Sequence, residues 1–391
     1  MAQSNHALIF GATGIQGWAV TNQLLNNYPT PNSFAKITAL TNRPIDSTTT
    51  LWPSSPRLQP ISGLDLLSPT LKLGLQARVP SIETVTHVFY CAYIYKSDPA
   101  SEVETNLTLL KNAIVSLETL APNLVSVILS TGTKAYGVHL ISDFPFSQNL
   151  PLREDLPRIP EPYASQNFYY NQVDFLASQS KGKNWTFAEL RPDAVVGFVP
   201  NNNVYSLAQA LACYLSCYRE IEGEGAECQF PGTEKSWTIL SNDADQDIIA
   251  KFAIHAALNP GSCGDGTAYN VASNSKPSCW EEKWPVICEF VGLKGVGPPE
   301  GGSGPQPGEY LASHLEQWTE IEERYGLATG RVGNDRSLGG FQYFIMTMFD
   351  FDRHLDMAKM HAAWGDKKEE VGSKEVWWTA FQRYRNAKII P

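Results

Sequence analysis

The stretch Leu8-Ile9-Phe10-Gly11-Ala12-Thr13-Gly14-Ile15-Gln16-Gly17 decides the fold. An apolar run entering three glycines spaced by three reads as a strand turning directly into a helix. Gly11 permits the tight turn, and Gly14 lets the backbone approach an anion. Gly17 lets the helix pack closely on the strand while its first N–H groups face a phosphate. A glycine triplet alone is a weak signal, since such turns occur without ligands. Here it follows the apolar residues 7–10 and precedes the helix-like Trp18-Ala19-Val20-Thr21-Asn22-Gln23-Leu24-Leu25, so a dinucleotide is the first ligand to consider.

With 391 residues the chain is long for one domain and comfortable for two on a ~150-residue prior. Its 43% hydrophobic and 18% charged residues are those of a globular protein, with no charge block that would predict disorder. A formal net charge of -10 argues against nucleic acid or an anionic membrane as partner, because both attract basic patches. A small neutral or apolar substrate fits better. The cysteines number seven, with no C-x-x-C pair, so neither a zinc site nor a disulfide framework is expected. Met1 leads at once into a strand, and no apolar run reaches membrane-spanning length; a cytoplasmic protein is expected.

Apolar runs at 7–10, 36–41, 58–64, 85–91, 125–129 and 186–191 alternate with helical patterns. The helix expected over 102–120 carries Val103, Leu107, Leu110, Ile114 and Leu117 on one face. This alternation predicts an α/β, Rossmann-like, doubly wound parallel sheet. Residues 137–162 are proline-rich and too long for an ordinary connection, a length that usually marks function or mobility. Beyond Pro192 come a helix near 205–218, short strands near 227–230 and 237–240, a helix near 246–257, and a mainly helical tail. The expected organisation is a dinucleotide-binding domain over 1–200, completed by parts of 237–275, and a smaller helical substrate cap formed by 201–236 and 276–391.

The end of the second strand lies beside the adenosine 2′ position, where an acid favours a free hydroxyl and an arginine a phosphate. This strand ends in Thr41-Asn42-Arg43, with no acid until Asp46, which makes Arg43 the candidate 2′-phosphate ligand. Leu64-Asp65 follows the third strand; Asp65 is either an acceptor for the adenine amino group or a helix cap. A tyrosine and a lysine four residues apart are the usual acid–base pair of short-chain reductases, the ammonium favouring tyrosinate and binding the nicotinamide ribose. That spacing occurs here only at Tyr384 and Lys388, far from the expected helix and read as a chance pair on a solvated face. In its place stand Ser130-Thr131-Gly132-Thr133-Lys134-Ala135-Tyr136 after the fifth strand and Asn167-Phe168-Tyr169-Tyr170 before the sixth. Lys134, leaving a strand beside the nicotinamide, is placed to reach both the ribose and a phenol on the neighbouring helix.

These elements, with Thr86-His87-Val88-Phe89-Tyr90, Glu154-Asp155-Leu156-Pro157-Arg158, Arg191-Pro192, Gly197-Phe198 and the ending Lys388-Ile389-Ile390-Pro391, span nearly the whole chain. The chain resembles the progesterone 5β-reductase and iridoid synthase-like (PRISE) enzymes, an atypical branch of the extended short-chain dehydrogenase/reductases. The resemblance implies NADPH as cofactor and reduction of the conjugated C=C bond of an apolar enone or enal in specialised metabolism. It carries Tyr169 over as the catalytic phenol and Lys134 as its partner. Hydride reaches the β-carbon while charge gathers on the carbonyl oxygen, where Tyr169 acts as an oxyanion donor. The cofactor is expected to meet Gly11, Thr13, Gly14, Ile15 and Gly17 at the turn. Asn42, Arg43, Leu64 and Asp65 are expected around the adenosine, and Cys91, Ala92, Tyr93, Asn106, Thr131 and Val196 along the rest. A homodimer is the family-level expectation for partners.

The chain departs from that family at Asn42, where an arginine is usual, at Asn171-Gln172-Val173-Asp174, where an acidic pair follows the tyrosines, at Tyr93 for a tryptophan and at Leu140 for a phenylalanine. Expected substrate contacts are Tyr93, Tyr136, Leu140, Tyr205, Phe341 and Phe344. The aromatic and methionine-rich run 341–351 reads as core more than pocket, with one or two residues touching substrate. No histidine sits in a metal pattern, and His87 and His255 read as ordinary packing. Residues 242–247 read as an acidic helix N-terminus. Carbonyl reduction, a non-redox cyclisation or isomerisation, and a sensor that has lost catalysis remain as alternative functions.

Overall fold

The computed structural model describes every residue except 1–3, 46, 47, 49, 335 and 338; Asp46, the first acid after the second strand, lies outside the described residues. The central sheet contains β1 (His6–Phe10), β2 (Lys36–Thr41), β3 (Leu58–Ser62), β4 (His87–Tyr90), β5 (Ser126–Ser130), β6 (Thr186–Pro192) and β7 (Thr267–Val271). All pairings are parallel, in the spatial order β3-β2-β1-β4-β5-β6-β7. The order reverses between β1 and β4, and in open α/β sheets ligands bind in the crevice beyond that reversal. Strands covered on both faces need no polar alternation, and β1 is buried at every residue.

On one face, α1 (Ile15–Leu25) buries Trp18 edge-on against Phe198, with ring centroids 5.0 Å apart. On the other face lie α2 (Leu71–Arg78) and α3 (Pro99–Leu120), the latter capped by Asp98, which accepts from Ser101 N at 2.8 Å. The buried face of α3 carries Leu110, Ile114 and Leu117 as expected, but at its first turns it is Glu102 and Asn106 that turn inward, while Val103 and Leu107 stay partly exposed. That rotation brings a carboxylate and an amide to the carboxyl edge of the sheet. Next come α4 (Phe168–Ser180), α5 (Leu207–Glu222) and α6 (Gln246–Leu258). Asp245 caps α6 by accepting from Asp247 N and Ile248 N, both at 2.8 Å, as the acidic stretch suggests. The later part is mainly helical, with α7 (Trp280–Glu289), α8 (Leu315–Tyr325) and α9 (Ser373–Asn386), and one apolar cluster runs from the α1 face of the sheet into these helices.

Three local expectations are corrected. Residues 237–240 form no strand: Glu234–Thr238 is a short helix, because Thr233 and Ser236 bond reciprocally, with Ser236 N donating to Thr233 Oγ1 and Thr233 N donating to Ser236 Oγ. The seventh strand, β7, carries a fully buried Asn270 that masks its apolar pattern. Tyr384 is not on a solvated face. It is buried, its hydroxyl donating to Gly197 O at 3.0 Å and lying 2.8 Å from Ser206 Oγ.

The irregular segment 137–162 is tied down from the carboxyl-terminal side. Leu152 N donates to His354 O and Asp356 N donates to Leu152 O, each at 2.9 Å, while Asn270 Nδ2 donates to Leu152 O at 2.8 Å. Among the described residues no helix is long and apolar enough to cross a membrane, and no three metal-ligating side chains form a group. All seven cysteines are free.

His6 and His87 are buried in the sheet as neutral rings, each pushed down to about 4 chiefly by desolvation. Nε2 of His6 lies 2.8 Å from Thr38 Oγ1 and its Nδ1 lies 2.9 Å from Thr84 Oγ1. Because the unfolded chain binds these protons first, stability is complete above the ordinary histidine value and falls as pH drops from 6.5 towards 4. Each histidine contributes a slope of about 1.4 kcal/mol per pH unit in that window. Urea unfolding across this range is expected to show the decline, and a His6→Asn variant a shallower one; a flat profile for the parent would contradict it.

Candidate active site

A cleft of about 740 Å³ opens at the carboxyl ends of β1, β4, β5 and β6. Its floor is the glycine turn. Gly11 has φ +75°, and a Cβ there would lie 2.7 Å from Cys91 O; one on Gly17 would lie 2.3 Å from Gly11 O. Both positions therefore accept only glycine if α1 is to start where it does. Gly14 N donates to Gly11 O at 2.9 Å, and no side chain caps α1. Its first N–H groups are left facing the cleft, an arrangement suited to a phosphate. Thr13 Oγ1 and Thr41 Oγ1, 3.0 Å apart, tie the turn to the end of β2.

Lys134 and Tyr169 face the same cleft from two different elements. One side chain fixes both. Asn167 caps α4 by accepting from Tyr169 N at 3.1 Å, and its Nδ2 donates to Lys134 O at 2.8 Å. The Tyr170 hydroxyl reinforces this by donating to Ala135 O at 2.5 Å and accepting from Ile159 N at 3.1 Å, a structural role. A side chain at Gly132 would meet the Tyr169 hydroxyl at 3.5 Å, so the phenol sits directly over the turn after β5. The Lys134 ammonium has no hydrogen-bond or ion-pair partner among the described residues. Burial lowers its pKa, opposed by the Glu102 carboxylate; burial raises that of Tyr169, reinforced by Glu102 and Glu189. The phenol is thus a neutral donor across the working pH range, in a cleft it shares with an uncommitted cation.

Aromatic rings build the wall. Tyr93 stacks on Phe168 at 5.4 Å, Phe168 meets Tyr169 edge-on at 4.6 Å, and Tyr205 meets Phe341 at 5.5 Å. The Tyr93 hydroxyl donates to Glu102 Oε1 at 2.5 Å, so this residue offers the cleft its ring more than its oxygen. Behind the site, Asp193 and Arg353 form a buried ion pair at 2.9 Å, and Thr133 Oγ1 donates to Asp193 at 3.0 Å. This buried bond fastens the segment carrying Phe344 and Phe349 to the turn carrying Lys134.

Of the residues expected at the cofactor, Gly11, Thr13, Gly14, Ile15, Asn42, Arg43, Leu64, Asp65, Cys91, Ala92, Tyr93 and Thr131 border the cleft. Gly17 serves packing. Asn106 does not border the cleft; its amide bonds Ile94 N and Ile94 O at 3.0 and 2.8 Å, shaping the loop that does. Val196 is buried, and its neighbour Val195 borders the cleft. Asp65 Oδ1 accepts from Leu67 N at 2.9 Å, a turn-capping contact.

Among the expected substrate contacts, Tyr93, Tyr205, Phe341 and Phe344 border the cleft, while Tyr136 and Leu140 do not. Tyr136 points into the core, donating to Asn270 Oδ1 at 2.6 Å. The turns after Lys134 present Val138 and His139 instead, the imidazole held neutral at about 4 by burial and by Lys134. The sequence reading also missed Phe349 and Arg336. A regular helical period over 341–351 would put Met348 beside Phe341 and Phe344, and the wide turn over 344–348 brings Phe349 there instead, its ring 4.6 Å from that of Phe344; nothing in the pattern marks Arg336.

The chain is similar in sequence and fold to known proteins. Short chain dehydrogenase sirQ of Leptosphaeria maculans is 32% identical, covering 98% of this chain and 97% of its own. (S)-8-oxocitronellyl enol synthase ISY1 of Nepeta racemosa is 31% identical over 84% of this chain and 80% of its own. The structure of RMD from Pseudomonas aeruginosa, complexed with NADPH, superposes with a TM-score of 0.58 at 14% identity, covering 97% of this chain and 98% of that one, a likeness of fold. The family model described as a PRISE-like Rossmann-fold domain matches residues 7–391, and the chain belongs to that family.

Proposed function

We propose that this protein is an NADPH-dependent reductase of the conjugated double bond of an apolar enone or enal. The observation that carries the reading is the Tyr169 phenol and the unpaired Lys134 ammonium in one aromatic cleft, their backbones tied by Asn167. The glycine turn fits a pyrophosphate, since the first N–H groups of α1 are uncapped and a Cβ on Gly14 would meet only Gly11 O, which leaves the approach to them open. When bound, a reduced nicotinamide supplies the hydride. Lys134 would hold the ribose and raise the local positive potential. Tyr169 would donate a hydrogen bond to the carbonyl oxygen, and that bond strengthens as the oxygen gains charge, which is what lowers a barrier. The aromatic wall would exclude water from the developing enolate. A relative named for making an enol supports attack at the β-carbon over attack at the carbonyl carbon. In this reading residues 1–200, completed by β7, hold the cofactor, and the later helices cover the substrate.

NADPH oxidation with cyclohexenone and a citral-type enal, with product masses recorded, tests the reaction. The saturated carbonyl is expected. Tyr169→Phe is expected to lower kcat/KM by about 10²–10³-fold, the cost of one oxyanion donor. An allylic alcohol product would replace this reading with carbonyl reduction.

The pH dependence follows from Lys134. Its ammonium is required, and burial places its pKa below the ordinary 10.5, so activity is present below that lowered value and lost as pH rises through it. The kcat/KM profile is expected to show a basic limb under pH 10.5. A Lys134→Arg variant, slower but permanently charged, should lose that limb. Its persistence would assign the limb to another group.

A further inference from the structure

We propose that Arg336, from the later helical part of the chain, and Arg43, at the end of β2, form a two-sided cradle for the 2′-phosphate of the adenosine ribose. The inference rests on the NADPH reading and extends it to a residue remote in sequence. Both arginines are exposed, border the cleft and have no carboxylate partner among the described residues. They are linked through Asn202, Gly330 and Asn334. Arg43 Nη1 approaches Asn202 O at 3.5 Å, and Asn202 Nδ2 donates to Gly330 O at 2.7 Å. Asn334 Nδ2 donates to the same Gly330 oxygen at 3.1 Å, and Arg336 N donates to Asn334 Oδ1 at 3.0 Å. A third guanidinium, Arg331, donates to Asn202 Oδ1 at 3.3 Å, and burial lowers its pKa.

Arg331 and Arg336 thus share one loop and Arg43 meets its neighbour Asn202, all three without a counter-ion among the described residues, in a chain whose formal charge is -10. A protein with ten surplus acids has ample means to pair such cations, yet these have no carboxylate among the described residues. A dianion matches the planar donor fork of each guanidinium and supplies the missing counter-charge. The place in the fold selects the anion. Asn42 and Arg43 end β2, and Leu64, Asp65 and Leu66 border the cleft beside them, the region where a dinucleotide's adenosine lies in such sheets. Asn42 provides no charge, and the second cation comes from across the cleft.

Titration calorimetry of the full chain with adenosine 2′,5′-bisphosphate and with 5′-AMP tests this without any turnover. The parent is expected to prefer the bisphosphate. Arg336→Gln and Arg43→Gln should each weaken bisphosphate binding about tenfold, the scale of one charge-assisted hydrogen bond, while leaving 5′-AMP unchanged. Arg336→Lys should recover part of the loss, and the melting temperature of each variant should match the parent. If Arg43→Gln loses the preference and Arg336→Gln keeps it, the cradle is wrong and the NADPH reading stands. If the parent binds both nucleotides equally, both fall.

Discussion

The backbone of Gly11 is crowded from two sides, and the rest of the molecule is arranged around that crowding. The first turn of α1 presses on its carbonyl, and the end of β4 lies against its Cα. Neither contact tolerates a methyl group. Because β1 lies where the strand order reverses, this close approach sets where α1 begins, how far β4 and its following loop stand from it, and therefore the width of the cleft. A side chain at either glycine would push the helix off the sheet and carry the uncapped N–H groups away from the site.

Around that fixed floor, the reactive side chains are held by amides and buried charges. Asn167 holds the backbones of Lys134 and Tyr169 with two hydrogen bonds, so the pair keeps its spacing although the residues lie on separate elements. The Asp193–Arg353 ion pair does the same for the aromatic wall. Both side chains are almost wholly excluded from solvent, and losing either partner would strand an uncompensated charge. Such a pair adds little net stability compared with apolar packing, but it specifies one position of the wall relative to the turn.

Much of this was legible in the chain itself. The glycine spacing, the six apolar runs and the pairing of 130–136 with 167–170 carry the sheet, the cleft and Lys134 with Tyr169, because each depends on local geometry. What escaped depends on tertiary contact. Asn270 hides β7 because a buried polar residue is tolerated only when remote partners satisfy it, here Tyr136, Leu152 and Asp356. Glu102 reads as a solvated helix residue until Tyr93 is brought to it. Tyr136 and Leu140 read as pocket residues by position, yet the turns after Lys134 rotate them away and show Val138 and His139. Arg336 lies nearly three hundred residues from Arg43, and no periodicity links them.

The knotting of residues 137–162 to the carboxyl-terminal segment has a consequence for biosynthesis. Chains emerge from the ribosome amino end first, and the strands up to β6 can pair as soon as they appear. Leu152, however, meets Asn270 first and finds its other partners only at His354 and Asp356, and Asp193 waits for Arg353. The nascent sheet must therefore carry this loop only partly anchored, through Tyr170 and then Asn270, until translation is nearly finished. A message truncated before codon 353 would encode every strand of the sheet and the bonds that hold Lys134 and Tyr169, but not those that fasten the carboxyl-terminal segment to them.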